Sequence, residues 1–414
     1  LKKPLGNLSF ISYISYGANF LWVMILALLG PSLPGIIEEL GIDYARAGVF
    51  FAIVSAGSLF GTSIGSIASD YVNRKALFIV AALTLSASLL LITLSASFGF
   101  LVLVLGILSV AGSPIGAIGQ GMMLYLFPER HEKNLSIQGI FTAVGSFLAP
   151  VMVSASYLAG GTWRFAFLIA SLIGLLLVIG IFPLRIPAKK SSAKPDSIPD
   201  YIESEGRIKR LAEDKEGKRG KRGIAGEIID TIRVRGVLFS FSMLLVYVGV
   251  DFGFSYWLSE YMRMRFLLSL SIASGSVLFY LIGVISGRLL NARLVGRIDR
   301  EKILKIAPVI AAFAFGGFIL AKSLYATYFF IILYGFGISP LFPLLLAYGT
   351  GMVPERPGTT TGILFASLSL GGILFPPLIG LVANHLGLNT GYLVIPVLLL
   401  ILELSFLLKL RKNA

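Results

Sequence analysis

Cysteine is absent from the 414 residues, which excludes disulfides and thiolate metal sites. Histidine occurs twice, at His131 and His385, and neither has companions at metal-ligand spacing. Charge is scarce: Asp, Glu, Lys and Arg make up 14% of the chain against 56% hydrophobic residues, and mean hydropathy is +0.87. A soluble protein of this length carries far more charge to cover its surface. A membrane enzyme needs a nucleophile with its base, or a metal cluster, and two isolated histidines without cysteine make that a poor reading. No catalytic residue, metal or cofactor is therefore expected. Segments resembling a selectivity filter are also missing, which argues against a channel.

What the chain has in abundance is long apolar blocks. About 20 apolar residues carry a helix across the hydrocarbon core, and blocks of that order lie at 9–37, 44–70, 75–95, 98–126, 133–158, 163–184, 237–262, 269–293, 302–321, 326–350, 357–384 and 389–409. The expectation is an all-α integral membrane protein of twelve transmembrane helices in contact with a lipid bilayer. A β-barrel is excluded, because its strands alternate and never give such runs. Lys2 and Lys3 precede the first block, but it is too long for a signal core and lacks a cleavage site, so no cleavable signal is expected. The net charge of +14 raises nucleic acid as a partner, and its placement argues against that. All but five of the 35 Lys and Arg fall on the side of the termini, the exceptions being Arg46, Arg164, Arg263, Arg265 and Lys322. This bias is the positive-inside rule, and it puts both termini and the central loop of a multi-pass cell-membrane protein in the cytoplasm.

The blocks fall into two sets of six. Residues 1–184 read as an N-terminal six-helix bundle, 185–235 as a charged cytoplasmic linker and 236–414 as a C-terminal bundle. The linker is rich in Lys, Arg, Glu and Asp, and the other reading of it is a short amphipathic helix around 200–215 on the inner leaflet. A shift of 226 residues, without a gap, pairs Gly57 with Gly283, Gly61 with Gly287, Arg74 with Arg300, Ser113-Pro114 with Ser339-Pro340, Pro128-Glu129-Arg130 with Pro354-Glu355-Arg356, Gly145 with Gly371 and Pro150 with Pro376. Six spans per half give both halves the same orientation, related by a pseudo-two-fold axis along the membrane normal. Parallel repeats of this kind are a transporter architecture, with the site near mid-membrane between the halves. Gly57, Gly61, Gly283 and Gly287 are expected at close helix contacts, and Pro114 and Pro340 are expected to kink spans 4 and 10.

The loop Asp70-Tyr71-Val72-Asn73-Arg74-Lys75 resembles the loop signature of the major facilitator superfamily. Asn73 stands where that family has Gly, a swap that a left-handed backbone would allow. Phe127-Pro128-Glu129-Arg130, followed by Gly145 and Ala149-Pro150, is similar to the same superfamily. The resemblance implies that Asp70 and Arg74, with Arg130, Arg300 and Arg356 on the other inner loops, hold the inner gate when it closes. It also implies that spans 1, 4, 7 and 10 line the cavity. Tyr247-Val248-Gly249-Val250-Asp251, then Trp257 and Tyr261, looks like span 7 of the fucose/proton symporter family. Unlike that symporter, span 1 carries no acidic residue within the bilayer.

Asp251 is the most informative residue. A carboxylate midway through a span is costly unless it faces water or a partner, so the functional reading is proton carrier or substrate acceptor, against a structural pairing with a tyrosine or backbone group. Tyr247, Asp251 and Ser255 share one helix face. In span 1, Ser12, Ser15, Tyr16 and Asn19 form a polar face, with Trp22 one turn on. Amides and hydroxyls suit sugar hydroxyls and aromatic rings suit apolar sugar faces, while interhelical hydrogen bonding is the alternative. Gln120 and Gln138 are further candidates of the same kind. Trp257 and Tyr334 are candidates for stacking on substrate, with packing as the competing role. Glu403 in span 12 reads as structural. The expected function is rocker-switch, proton-coupled uptake of a sugar or similar small polar solute by a monomer. The alternatives are proton-driven export of lipophilic compounds, for which span 5 has only a partial antiporter-like pattern, and a non-transporting sensor on the same fold.

Overall fold

The computed structural model describes residues 5–126, 131–182, 224–294 and 297–410. Twelve helices among them are long and apolar enough to cross a membrane: Ile11–Leu40, Tyr44–Gly65, Lys75–Thr93, Phe98–Gly116, Ile137–Leu158, Arg164–Ile181, Arg235–Phe266, Leu270–Leu294, Arg300–Leu320, Leu324–Gly351, Pro357–Leu386 and Leu388–Leu408. They are spans 1 to 12 in chain order. Hydrocarbon offers the backbone no water, so a run of apolar residues can cross it only by closing its hydrogen bonds within a helix. The architecture is all-α, with spans 1–6 and 7–12 forming two six-helix bundles that meet along a seam.

The internal duplication survives to the level of atoms. A Cβ on Gly57 would lie 1.9 Å from Ser109 Oγ and 3.2 Å from Gly106 O of span 4. A Cβ on Gly283 would lie 2.0 Å from Ile332 O of span 10, the residue that the 226-residue shift pairs with Gly106. Gly61 meets Val110 O and Ser113 Oγ, and Gly287 meets their counterparts Phe336 O and Ser339 Oγ. Each pair of helices therefore packs backbone against backbone, where only glycine fits. The ends of spans 3 and 9 are also treated alike. Arg164 donates to the carbonyls of Ile92, Thr93 and Ser95, and Arg265 donates to those of Phe318, Ile319 and Ala321. A cation at a helix C-terminus satisfies its last carbonyls and complements its dipole. Glu39 pairs with Arg164 at 2.6 Å.

Several local expectations need correcting. Pro340 interrupts span 10 between helices Leu324–Ile338 and Leu341–Gly351, but Pro114 sits within the unbroken helix Phe98–Leu126. The two prolines share a register, and a helix that runs on past Pro114 can bend there without breaking. Span 8 is also interrupted, between Leu270–Gly275 and Val277–Leu294, and span 12 between Leu388–Tyr392 and Val394–Leu410. Asn73 does not use a left-handed backbone: its φ is −59° and its side chain caps span 3, accepting from the amides of Lys75 at 2.9 Å and Ala76 at 3.4 Å. The segment assigned to the linker ends in a helix, Ile224–Ile232, packed against spans 7 and 11. The stretch 200–215 lies outside the described residues.

Candidate functional site

Among the described residues, the contacts across the seam lie mainly in the half of the protein away from the termini. Ser274 Oγ donates to Pro31 O at 2.7 Å, and Ser154 and Ser271 hydroxyls lie 3.0 Å apart. Phe51 of span 2 stacks on Tyr256 of span 7 with ring centroids 4.4 Å apart. Spans 2 and 11 approach so closely that a Cβ on Gly48 would lie 2.9 Å from Pro377 Cα. Arg263 of span 7 forms an ion pair with Glu38 of span 1, and Tyr44 of span 2 donates to Glu260 Oε1 at 3.3 Å. Glu260 is buried, 1% exposed, and its Oε2 lies 3.6 Å from Arg263 Nε.

On the terminal side of these contacts, described residues line two cavities along the seam. One, of about 310 Å³, is walled by spans 1, 5, 7 and 8 and contains Asp251, Ser255, Ser146, Tyr280 and Arg288. The other, of about 450 Å³, is walled by spans 1, 2, 4, 7 and 11 and offers Ser55, Ser58, Thr62, Ser113 and Ser369 beside Trp22, Phe252 and Phe365. Phe252 and Tyr256 line both cavities and so divide them. Volumes of this order are those of small-molecule sites. The lining mixes hydroxyls with aromatic faces. Ser113 Oγ is buried with no hydrogen-bond partner among the described residues.

Asp251 is the carboxylate of the smaller cavity. Its two oxygens are held separately: Tyr247 of its own helix donates to Oδ2 at 2.5 Å, and Tyr280 of span 8 donates to Oδ1. Tyr334 of span 10 braces the same turn by donating to Val250 O at 2.9 Å. Span 7 thus carries Asp251 at the cavity and Glu260 at the sealed end, nine residues further along one helix. Tyr280 was legible only as a span residue, because its bond to Asp251 joins two helices. Arg288 counts among the terminal-side cations because it lies near the end of span 8. Residues 277, 281, 284, 285 and 288 all line the cavity, so the face of span 8 that bears Arg288 looks into the seam.

The remaining candidates separate into groups. Trp22 and Ser255 line the cavities. Tyr247 lies behind Asp251 with its ring against Phe342. Tyr16 is buried and donates to Asn134 Oδ1 at 3.0 Å, while Asn19 donates to Ser15 O at 3.1 Å, so both bond within their bundle. Gln138 is buried, and Trp257 and Tyr334 are fully so. Trp257 Nε1 donates to Pro376 O at 3.0 Å between the rings of Tyr44 and Phe51. Arg300 is exposed at the start of span 9 and Arg356 precedes span 11. The side chains of Asp70, Arg74 and Gln120, and all of Arg130, lie outside the described residues. Glu403 is half-buried on span 12, with Oε2 lacking a hydrogen-bond partner among the described residues.

Comparison with known proteins agrees with this architecture. Residues 10–376 match the Major Facilitator Superfamily. An uncharacterized MFS-type transporter of Bacillus subtilis (strain 168), YfkL, is 25% identical over 382 residues, covering 91% of this chain and 89% of that protein. The mouse (Mus musculus) sodium-dependent glucose transporter 1A is 28% identical over 137 residues, 32% of each chain. Among solved structures, a bacterial homolog of the human lysosomal transporter Spinster, inward-facing and unoccupied, superposes with a TM-score of 0.74 at 18% identity, over 99% of this chain and 98% of the other.

Proposed function

The chain belongs to the Major Facilitator Superfamily, and from that premise we propose that it is a proton-coupled symporter taking up a sugar or similar small hydroxylated solute by rocker-switch alternating access. The observation that carries the reading is Asp251: a carboxylate in mid-span, facing a cavity at the seam and bound by phenols of two helices. A carboxylate that passes between cavity water and a closed seam can take a proton on one side and release it on the other. The hydroxyls and aromatic faces of the two cavities suit a ring-sized polar solute, and the glucose transporter similarity over part of the chain points the same way.

In this reading residues 1–184 and 236–414 are the two rocking bodies, 185–235 joins them in the cytoplasm, and one chain suffices for the site. The positive-inside bias supports cytoplasmic termini in a cell-membrane protein, and with that orientation the state described is an inward-facing one. Asp70, Arg74, Arg130, Arg300 and Arg356 would then engage when the inner side closes. Export of lipophilic compounds is the weaker reading, since the cavity walls carry a line of serine and threonine hydroxyls.

The test is uptake of labelled monosaccharides into liposomes holding the purified protein, with and without an inward proton gradient. Gradient-driven uptake that fails in Asp251→Asn supports the assignment. Uptake driven equally well by the mutant moves the proton elsewhere. Efflux of lipophilic dyes with no sugar movement by folded protein replaces the reading.

A further inference from the structure

We propose that the solute carries one carboxylate, held by Arg288, and that it crosses with one proton on Asp251 in an electroneutral cycle. The inference rests on the symporter reading above and narrows its substrate class to a hydroxylated monocarboxylic acid such as a sugar acid.

The argument starts from an inventory of charge. Among the described residues lining the two cavities, Asp251 and Arg288 are the charged ones. They do not form an ion pair. Both oxygens of Asp251 are occupied by the phenols of Tyr247 and Tyr280. Arg288 has neither an ion-pair nor a hydrogen-bond partner among the described residues, although it lies within electrostatic reach of Asp251. The groups that face Asp251 are Tyr247 and Tyr256 on its own helix, Tyr280 and Arg288 from span 8, and Tyr334 from span 10. Arg288 is the cation of that set. A guanidinium in a cavity offers a planar fork of donors that matches a carboxylate bidentately. Ser255 and Ser146 supply hydroxyls nearby, and the Val277, Leu281 and Val284 side of the wall is apolar.

Charge balance then sets the coupling. With Asp251 ionised, the empty cavity holds one cation and one carboxylate and is neutral. The cavity loaded with a monoanion is neutral only when Asp251 is protonated. A cavity with the anion alone, or the proton alone, carries net charge into the middle of the membrane and is penalised. The empty and doubly loaded forms are therefore the ones free to rock, which is the condition for obligatory symport. A phosphate monoester, with nearly two charges at neutral pH, would break the balance.

The test uses the full chain in liposomes with D-gluconate, glucose 6-phosphate and glucose as probes. The expected result is accumulation of gluconate under an inward proton gradient, with one proton entering per gluconate. The rate should change less than about twofold when valinomycin and potassium impose an inside-negative potential. Arg288→Gln should cut it at least about tenfold, with partial recovery in Arg288→Lys. The wild-type measurements stand even if Arg288→Gln does not fold. Glucose moving as fast as gluconate, and equally fast in Arg288→Gln, overturns the inference while leaving the symporter. Preference for glucose 6-phosphate, or gluconate entry sped severalfold by the potential, overturns it too. If none of the three probes moves, the symporter reading of a hydroxylated solute falls with it.

Discussion

Arg263 of span 7 and Glu38 of span 1 form an ion pair across the seam at its sealed end, and Arg263 also reaches the buried Glu260. Opening the seam on that side breaks the Arg263–Glu38 pair, whereas Arg263 and Glu260 lie on one helix and can stay together. Glu38 is 58% exposed and Arg263 23%, so water screens their attraction. Tyr44 and Glu260 meet in a less exposed place, where a hydrogen bond to a carboxylate is worth more.

The latch predicts a shift in conformational balance. Removing the exposed ion pair with Glu38→Gln should cost the closed seam about 0.2–1 kcal/mol, up to roughly fivefold in population. Tyr44→Phe should cost about as much or more. Because the chain has no cysteine, Ser274→Cys provides a single reporter beside Pro31 O. Labelling of that cysteine by a water-soluble maleimide should speed up in both variants. Unchanged labelling would mean that apolar packing alone seals the end.

The tyrosine pair on Asp251 predicts unequal transport defects. Tyr280→Phe removes a bond that ties span 8 to span 7 inside the cavity, and Tyr247→Phe removes one within span 7. A hydrogen bond to a charged group is worth about 1.5–3 kcal/mol. Proton-driven uptake should therefore fall about tenfold or more in Tyr280→Phe, with the melting temperature lowered by only a few degrees. Tyr247→Phe should fall less, since Tyr280 still aligns the carboxylate with the cavity. Equal defects in the two would show that holding the carboxylate, and not joining the helices, is what transport needs.

The duplicated glycines predict a stability test. An added methyl at Gly287 would lie 2.2 Å from Ser339 Oγ and 2.6 Å from Phe336 O, so spans 8 and 10 must separate to admit it. Gly287→Ala and its counterpart Gly61→Ala should each destabilise by about 1–3 kcal/mol. Gly316→Ala, where nothing lies within 4 Å, is the control and should be neutral or slightly stabilising. Thermal unfolding in detergent reads the difference. Tolerance of both alanines would mean that the helices can separate there at little cost.

What was legible in the sequence was whatever repeats along it. Span positions follow from runs of apolar residues, and the halves follow from pairs such as Gly61 with Gly287. Asp251 is legible because a mid-span acid is expensive. The groups around it are not, because Tyr280 and Arg288 come to its cavity through the packing of two helices. Arg288 was hidden further by the positive-inside pattern, which gives any cation near a span end a ready explanation. Pro340 and Pro114 share a register, yet their helices break differently, since a proline's effect depends on which neighbours satisfy the freed carbonyl. Glu260 lies near a span end, where a glutamate would ordinarily meet water, yet it is buried beside Tyr44 of the opposing bundle.

The two tryptophans of the seam separate substrate contact from packing. Trp22 and Trp257 are equally plausible as stacking platforms by residue type. Trp22 is partly exposed on the wall of the larger cavity, with its ring edge against Gly112. Trp257 is fully buried, its indole N–H bonded to Pro376 O and its ring between Tyr44 and Phe51. A solute reaching Trp257 would have to displace the contacts that close the seam. Trp257→Phe keeps an aromatic face and loses volume and one hydrogen bond, so its cost should appear as about 1–3 kcal/mol of stability or as a looser seal. Its KM for uptake should stay within about twofold. Trp22→Ala removes wall surface that a solute in the larger cavity would touch, and KM should rise about fivefold or more, by the 1–3 kcal/mol typical of a lost apolar contact in a pocket. Purified variants assayed side by side for uptake and melting temperature give the answer. The reverse pattern, with KM raised in Trp257→Phe and unaffected in Trp22→Ala, would move the binding site up the seam to the sealed end, where the ring of Tyr44 and the carboxylate of Glu260 would become its walls.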